Sequence, residues 1–211
     1  RMSGGIPYID ILIFAIIAIF LGLRLHSVLG KRTGFEQENP RDQDMVAAVT
    51  EGSSKVQTIP LNGTGIDAIM KADPSFSDVE FVNGASSAYG MILESFAGED
   101  IEALKPLLGY EMNSSFAEAI RERQKAGETL SITLVDLEKA EISNARLVDG
   151  LAMISVDFQS SQKRLLRAED GSVLDGGGDE AETFRDRWTF ERDISSRDPN
   201  WLLVETETID P

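Results

Sequence analysis

Cysteine is absent from the 211-residue chain, and histidine occurs only once, as His26. The lack of cysteine excludes disulfide scaffolds, Cys-ligated zinc or iron–sulfur centres and a cysteine nucleophile. A single histidine excludes multi-His metal sites and leaves only His26 to supply the base of a Ser-His-Asp triad. Most hydrolase chemistry is thereby excluded, and we expect no metal and no cofactor.

Positive charge is scarce outside the N-terminus. Residues 1–32 contain four basic side chains and one acidic one, whereas residues 33–211 contain 16 basic and 35 acidic side chains. An acidic surplus of this size repels a phosphate backbone, so nucleic-acid binding is not expected. The same surplus favours partners with basic or amphipathic segments.

One long apolar run lies near the N-terminus. Ile11 to Leu23 contains no charged residue, and the wider stretch from Ile6 is interrupted only by Asp10. In helical form residues 6–23 cover about 27 Å, close to the hydrocarbon thickness of a bilayer. A signal peptide needs a basic segment before the run and small residues after it, and a buried helix shows a polar stripe. The sequence around this run shows neither pattern. The pattern therefore favours a transmembrane helix that contacts the lipid bilayer through residues 6–23.

Basic residues beside this run predict its orientation. Arg24, Lys31 and Arg32 all follow it, and cationic flanks stay on the cytoplasmic side. We therefore expect a single-pass membrane protein with a cytoplasmic C-terminal domain. Composition then divides the chain into a membrane anchor with its basic flank (residues 1–32), a flexible polar linker (33–60) and a folded domain (61–211).

Periodicity in the folded domain changes at Gly127. Before it, apolar residues from Phe81 to Phe96 recur every three or four positions, which predicts a long helix with Asp78 at its start and Gly98 at its end. Shorter helices are predicted over residues 65–72, 100–108 and 114–125. After Gly127 the period is two, which predicts four or five antiparallel strands with tight turns at residues 149–150 and 170–171. Helices followed by strands indicate an α+β fold in which a curved sheet wraps the long helix as a cone.

Three phrases carry a family resemblance: DPSFSDVEFVNGASSAYGMILESFAGEDIEALKPLL, FAEAIRERQKAGETL and FRDRWTFERDISSRDPNWLLVET. Together with the apolar start, they resemble bacterial Tim44-like domain proteins, which are similar to the C-terminal domain of mitochondrial Tim44. The resemblance covers about residues 61–211 and implies a cone-shaped fold similar to nuclear transport factor 2. It also implies a membrane-associated adaptor at the inner membrane of a bacterial cell, since the mitochondrial relative contacts the translocase and recruits a chaperone at the mitochondrial inner membrane. The linker here is too short for a chaperone-binding region, which weakens the inference of chaperone recruitment.

Folds like nuclear transport factor 2 often enclose an apolar pocket, and some relatives are isomerases with a pocket carboxylate. The residues expected in such a pocket, or in the core, are Phe81, Tyr89, Phe96, Phe158, Asp186, Trp188 and Phe190. Tyr89, Tyr110, Asp157 and Asp186 are the only candidates for isomerase chemistry. We expect no catalytic residues, because the spacing supplies no matched acid and donor.

Asp186 is the strongest of these candidates. It shares a strand face with Phe184, Trp188 and Phe190, so its carboxylate is expected to point inward. The favoured alternative is that a neighbouring arginine (Arg185, Arg187 or Arg192) neutralises it, or that a bulge turns it outward.

Two functions remain. The favoured one is a non-enzymatic adaptor that binds proteins at the inner membrane, in protein transport, insertion or quality control. The alternative is a pocket protein that binds an apolar ligand or lipid, or an isomerase-type enzyme.

Overall fold

The computed structural model describes residues 63–177 and 179–209, which form four helices and six strands. The helices are α1 (Ile66–Ala72), α2 (Asp78–Ala97), α3 (Ile101–Leu104) and α4 (Tyr110–Ala126). The strands are β1 (Gly63–Thr64), β2 (Thr129–Val148), β3 (Leu151–Arg167), β4 (Val173–Gly176), β5 (Glu182–Asp193) and β6 (Leu202–Thr208). The predicted membrane anchor, its basic residues Arg24, Lys31 and Arg32, and the predicted linker lie outside the described residues.

The long helix α2 has clear end signals. Its N-cap is Ser77, whose Oγ accepts a hydrogen bond from the Glu80 amide at 3.3 Å, so the cap precedes the predicted Asp78 by one residue. At the other end the Gly98 amide donates to the Glu94 carbonyl at 2.8 Å. Helix α3 is shorter than predicted because Pro106 has no amide hydrogen to continue the ladder.

All strand pairs are antiparallel, in the order β1-β2-β3-β5-β6, and β4 pairs with β3 beyond the end of β5. The predicted turn at Asp149 and Gly150 joins β2 to β3, and both residues have positive φ angles. Three register shifts interrupt the β2–β3 ladder, and such bulges bend a sheet. The predicted α+β class with a curled antiparallel sheet is confirmed, and the arrangement is compatible with the expected cone.

The core lies between α2 and the inner face of the sheet. It includes Tyr89 and Ile92 from α2, Val156 and Phe158 from β3, and Phe190 from β5, each at most 2% exposed. In residues 63–177 and 179–209 no helix is long and apolar enough to cross a membrane.

Candidate functional site

The predicted pocket residues lie in three separate aromatic groups along α2. Tyr89 packs on Phe158 and Trp188, with ring centroids 4.5 Å apart in both pairs. Phe81 and Phe190 form a second group, at 6.0 Å. A third group joins Phe96 to a helix α4 ring and to the Arg123 guanidinium, and Phe96 itself is only partly buried.

Four side chains form an interior polar cluster: Tyr89, Ser160, Gln162 and Asp186. The Tyr89 hydroxyl donates to Asp186 Oδ2 at 2.8 Å. Its only proton is used there, so Ser160 Oγ at 3.0 Å must donate to Tyr89, as Gln162 Nε2 does at 2.9 Å. Tyr89, Ser160 and Gln162 are at most 1% exposed. The hydrogen bonds are therefore directed toward the Asp186 carboxylate and are closed to solvent at three of the four residues.

Burial raises the pKa of Asp186, although hydrogen bonds from Tyr89 and Thr208 and the positive charge of Arg164 oppose that rise. Burial and the negative charge of Asp186 together raise the pKa of Tyr89 well above its ordinary value. The Arg164 guanidinium lies 3.7 Å from the centroid of the Phe184 ring, at the same end of the inner face. Asp186 is thus hydrogen-bonded by Tyr89, and the positive charge of Arg164 favours its ionised form.

This arrangement differs from the favoured expectation for Asp186. Arg187 instead binds Asp157, through hydrogen bonds of 2.7 and 2.8 Å, and Arg192 binds Asp73. A donor matched to Asp186 exists after all, since Tyr89 supplies it from 97 positions away. The alternation of residues in β5 predicts that Asp186 points inward, and an inward Tyr89 could have been considered as its donor. Nothing local in the sequence identifies Tyr89 and Asp186 as a pair.

The two remaining isomerase candidates lie elsewhere. The hydrogen bonds from Arg187 hold the pKa of Asp157 below its ordinary value, and the Ser143 hydroxyl reinforces them. Tyr110 is 87% exposed at the start of α4. Among the described residues no group of three or more His, Asp or Glu side chains could hold a metal ion.

A second region is open to solvent, and we call it the α2 groove. It is lined by α2 residues between Glu80 and Ala88, by the preceding segment 75–77, by Leu107, by Phe190 and Arg192 of β5, and by the loop residues 199–201. It contains about 1020 Å³ of space, part of it continuous with solvent. Its sequence signals are small α2 residues beside aromatic ones, a pattern too common in helices to indicate a site.

Aromatic rings form the walls of the α2 groove and small residues form its floor. The Trp201 ring lies edge-on to Phe81 at 4.8 Å and to Phe76 at 5.9 Å. On the floor, a Cβ added to Gly84 would meet no atom within 4 Å. The space over Gly84 therefore follows from the absence of a side chain.

The polar end of the α2 groove holds Arg192. Its Nη2 atom donates to Asp73 Oδ2, and its Nε atom is buried without an acceptor among the described residues. Burial alone would raise the pKa of Asp73, but hydrogen bonds from Ser75 and Arg192 hold it below the ordinary value. Arg192 is thus neutralised by Asp73.

Comparison with known proteins identifies a family. Residues 62–208 match the family model described as the Tim44-like domain. The probable mitochondrial import inner membrane translocase subunit tin-44 of Caenorhabditis elegans is 22% identical over 191 residues, which cover 85% of this chain and 44% of that protein. The chain thus spans less than half the length of this relative.

A bacterial relative is similar over its whole length. An uncharacterized protein of Rickettsia prowazekii is 23% identical over 227 residues, which cover 95% of this chain and 98% of that protein. Among solved structures, the intermembrane space region of the chloroplast protein ARC6 aligns with a TM-score of 0.45 and 16% identity, over 64% of this chain and 99% of that one.

Proposed function

Because this chain belongs to the Tim44-like domain family, we propose that it is a membrane-associated adaptor that binds other proteins at the inner membrane. The processes it serves are protein transport, insertion or quality control. Support comes from the C. elegans relative, which is named as an import inner membrane translocase subunit. The apolar run at residues 6–23 is the proposed anchor, and the basic flank keeps the domain in the cytoplasm.

The observation that carries a binding role is the contrast in accessibility between the two candidate sites. The α2 groove is open and aromatic, as protein-binding recesses usually are. The interior polar cluster has the groups of an acid–base site, but Tyr89 is fully buried against Phe158 and Trp188. A substrate needs contact with the reacting groups, so we propose that the protein is not an enzyme.

Proximity to the membrane makes weak binding sufficient. If residues 33–60 form the flexible linker that their composition predicts, this linker of about 30 residues would reach on the order of 30 Å and keep the domain in a thin layer beside the bilayer. Confinement to that layer raises the effective concentration of the domain toward membrane-bound partners.

The adaptor function is tested by complementation of a null strain together with surface crosslinking. Deletion of Ile6 to Leu23 should abolish function in the cell but leave partner binding measurable in solution. A point variant, Asp186→Asn, should leave cellular function largely intact. Full activity without the anchor would contradict the adaptor function.

Topology is tested separately by fusing alkaline phosphatase after Pro211. The enzyme folds only outside the cytoplasm because it needs disulfide bonds. The fusion is expected to be inactive, and strong phosphatase activity would reverse the orientation.

One observation favours the alternative of a pocket enzyme, namely the 2.8 Å hydrogen bond from Tyr89 to an interior carboxylate. A carboxylate and a tyrosine are the groups that an isomerase uses to move a proton and to stabilise an enolate. Complete loss of cellular function in a folded Asp186→Asn protein would favour this alternative.

A further inference from the structure

The α2 groove is long enough for a short helix. Its lining runs along α2 from the N-cap Ser77 to Ala88, which is about 16 Å or three helical turns. The helix face toward the groove carries Gly84 and Ala88, and small side chains permit a short distance between helix axes. We propose that the α2 groove binds an amphipathic helix of a partner protein, whose apolar face covers Gly84 and Trp201 and whose basic residues face Glu80.

Backbone hydrogen bonding favours a helix over an extended segment. The floor of the groove is α2, whose internal carbonyls and amides are already paired within the helix. The adjacent edge of β6 is also used, because the Leu203 amide donates to Leu107 and the Leu203 carbonyl accepts from Gly109, both at 2.8 Å. An extended segment would therefore leave its own backbone groups unpaired, whereas a helix satisfies them internally.

The groove walls explain why the helix should be apolar on one face. Trp201 is partly exposed and lies edge-on to the buried ring of Phe81, so a partner side chain can cover the exposed part of the indole. A bulky apolar side chain would also occupy the space over Gly84, where an added Cβ would have no neighbouring atom within 4 Å. Aromatic residues in such recesses contribute strongly to binding.

Charge favours basic residues on the other face. Glu80 lines the groove and is exposed, and Asp78 and Asp198 are exposed residues next in sequence to the lining residues 77 and 199. The cation in the lining, Arg192, is bound to Asp73, and Arg197 is the basic residue of the loop that precedes residues 199–201. The sequence of residues 63–209 contains 14 basic and 29 acidic side chains, so the surrounding field also attracts cations.

This inference rests on the proposed adaptor function, and peptide binding tests it. The probe is a labelled 18-residue helical peptide with leucine on one face and lysine on the other. A second peptide has glutamate in place of lysine, and a third has the leucines and lysines scrambled. Fluorescence anisotropy is measured with the full chain in phosphatidylcholine nanodiscs, with empty nanodiscs as the blank.

Gly84→Leu fills the floor of the groove, and Asn83→Leu adds the same side chain one position away, outside the lining. Both positions are exposed, and leucine favours a helix over glycine, so both variants should fold. The lysine peptide should bind Gly84→Leu about tenfold more weakly than the wild type and bind Asn83→Leu within about twofold. In Glu80→Lys the preference for the lysine peptide over the glutamate peptide should become smaller, because the local carboxylate is lost while the surrounding acidic field remains.

Several results would overturn the proposal. Equal affinity of the wild type and Gly84→Leu would exclude the groove, and equal affinity of the lysine and glutamate peptides would exclude a basic partner. Failure of the wild type to bind the lysine peptide would also overturn it. The proposal would also be overturned if Gly84→Leu lost oleate binding but kept peptide binding, because the groove would then hold an acyl chain.

The adaptor function can survive such a failure. Surface crosslinks to partners in the cell, and their dependence on the anchor, do not require the α2 groove. If both persist in cells that carry Gly84→Leu, the docking site lies elsewhere on an adaptor.

Discussion

The interior polar cluster and the α2 groove both use helix α2, at Tyr89 and Gly84, only five residues apart. At Tyr89 the helix presents a large side chain whose ring packs against two other aromatic rings and whose hydroxyl has three partners. At Gly84 it presents no side chain, and the groove around it remains partly open to solvent. The first region is closed by its own contacts, and the second is available for contacts with another molecule.

The comparison shows that chemical groups alone do not identify a functional site. The interior polar cluster has a carboxylate, a tyrosine and an amide, which suggest acid–base chemistry. Each of these groups is hydrogen-bonded to another member of the cluster, and such fully satisfied networks commonly specify a unique core. Access distinguishes the α2 groove, which contains fewer reactive groups but leaves room for a ligand.

The largest expected effect is in the closed region. Trp188→Ala should lower the free energy of unfolding by about 3–5 kcal/mol, because the indole is buried against Tyr89 and Phe158. The matched variant is Trp201→Ala on the groove wall, which should cost less stability but weaken peptide binding. Urea unfolding of the full chain, followed by the fluorescence of the remaining tryptophan, measures the stability of both variants. Equal costs would mean that the two regions are packed alike.

Removal of one hydroxyl tests whether the cluster is held by its hydrogen bonds. Tyr89→Phe keeps the ring but removes the donor to Asp186 and the acceptor for Gln162. Unpaired buried groups should lower the free energy of unfolding by about 1–3 kcal/mol. Tyr110→Phe is the control, since Tyr110 is exposed and its hydroxyl should contribute almost nothing. A similar small effect at Tyr89 would show that water replaces the lost partner.

Stability against pH tests the raised pKa of Asp186. In the unfolded chain this carboxyl ionises near pH 3.8, and in the folded protein it ionises at higher pH because it is buried. Between these values the folded state holds more protons, so this group's contribution to stability falls as pH rises. Asp186→Asn cannot titrate. The unfolding free energy of the wild type relative to this variant should therefore increase as pH is lowered from neutral toward 3.8.

Asp157 gives the opposite sign and serves as the control. The hydrogen bonds from Arg187 hold its pKa below 3.8, so its stabilising contribution is present above that pH and is lost as pH falls below it. The wild type should lose stability relative to Asp157→Asn in that lower range. The effect should be small, about 1 kcal/mol or less, because this ion pair is partly exposed. The same sign in both variants would contradict the assigned environments.

Local patterns in the sequence predicted the elements that local forces determine. The spacing of apolar residues predicted α2, Gly98 predicted its end, and the residue pair at 149–150 predicted the turn between β2 and β3. The period-two phase of β5 predicted that Asp186 and Trp188 share a face. Strand β4 was not predicted, because a four-residue run containing Asp175 and Gly176 carries little strand preference.

Long-range contacts could not be predicted in the same way. The partner of Asp186 depends on how α2 crosses the sheet. Bulges in β2 shift the register of the β2–β3 pairing, and no turn residue in the sequence marks their positions. Prediction of neutralisation by Arg187 failed because this side chain alternates to the opposite face, where it meets Asp157. The α2 groove depends on missing volume at Gly84, and a helical glycine alone gives no sign of what surrounds it.

The smallest expected effect tests the space in the α2 groove directly. Gly84→Ala should raise the free energy of unfolding by about 0.5–1 kcal/mol, because alanine favours a helix interior over glycine and the added Cβ meets no atom within 4 Å. The control is Gly109→Ala, where the Cβ would lie 2.9 Å from Val204 Cγ1 and 3.3 Å from the Leu203 carbonyl oxygen, and which should therefore destabilise the protein. Urea unfolding of the full chain measures both variants. Destabilisation by Gly84→Ala would mean that another part of the chain already covers Gly84, and the groove would then be as closed as the interior polar cluster.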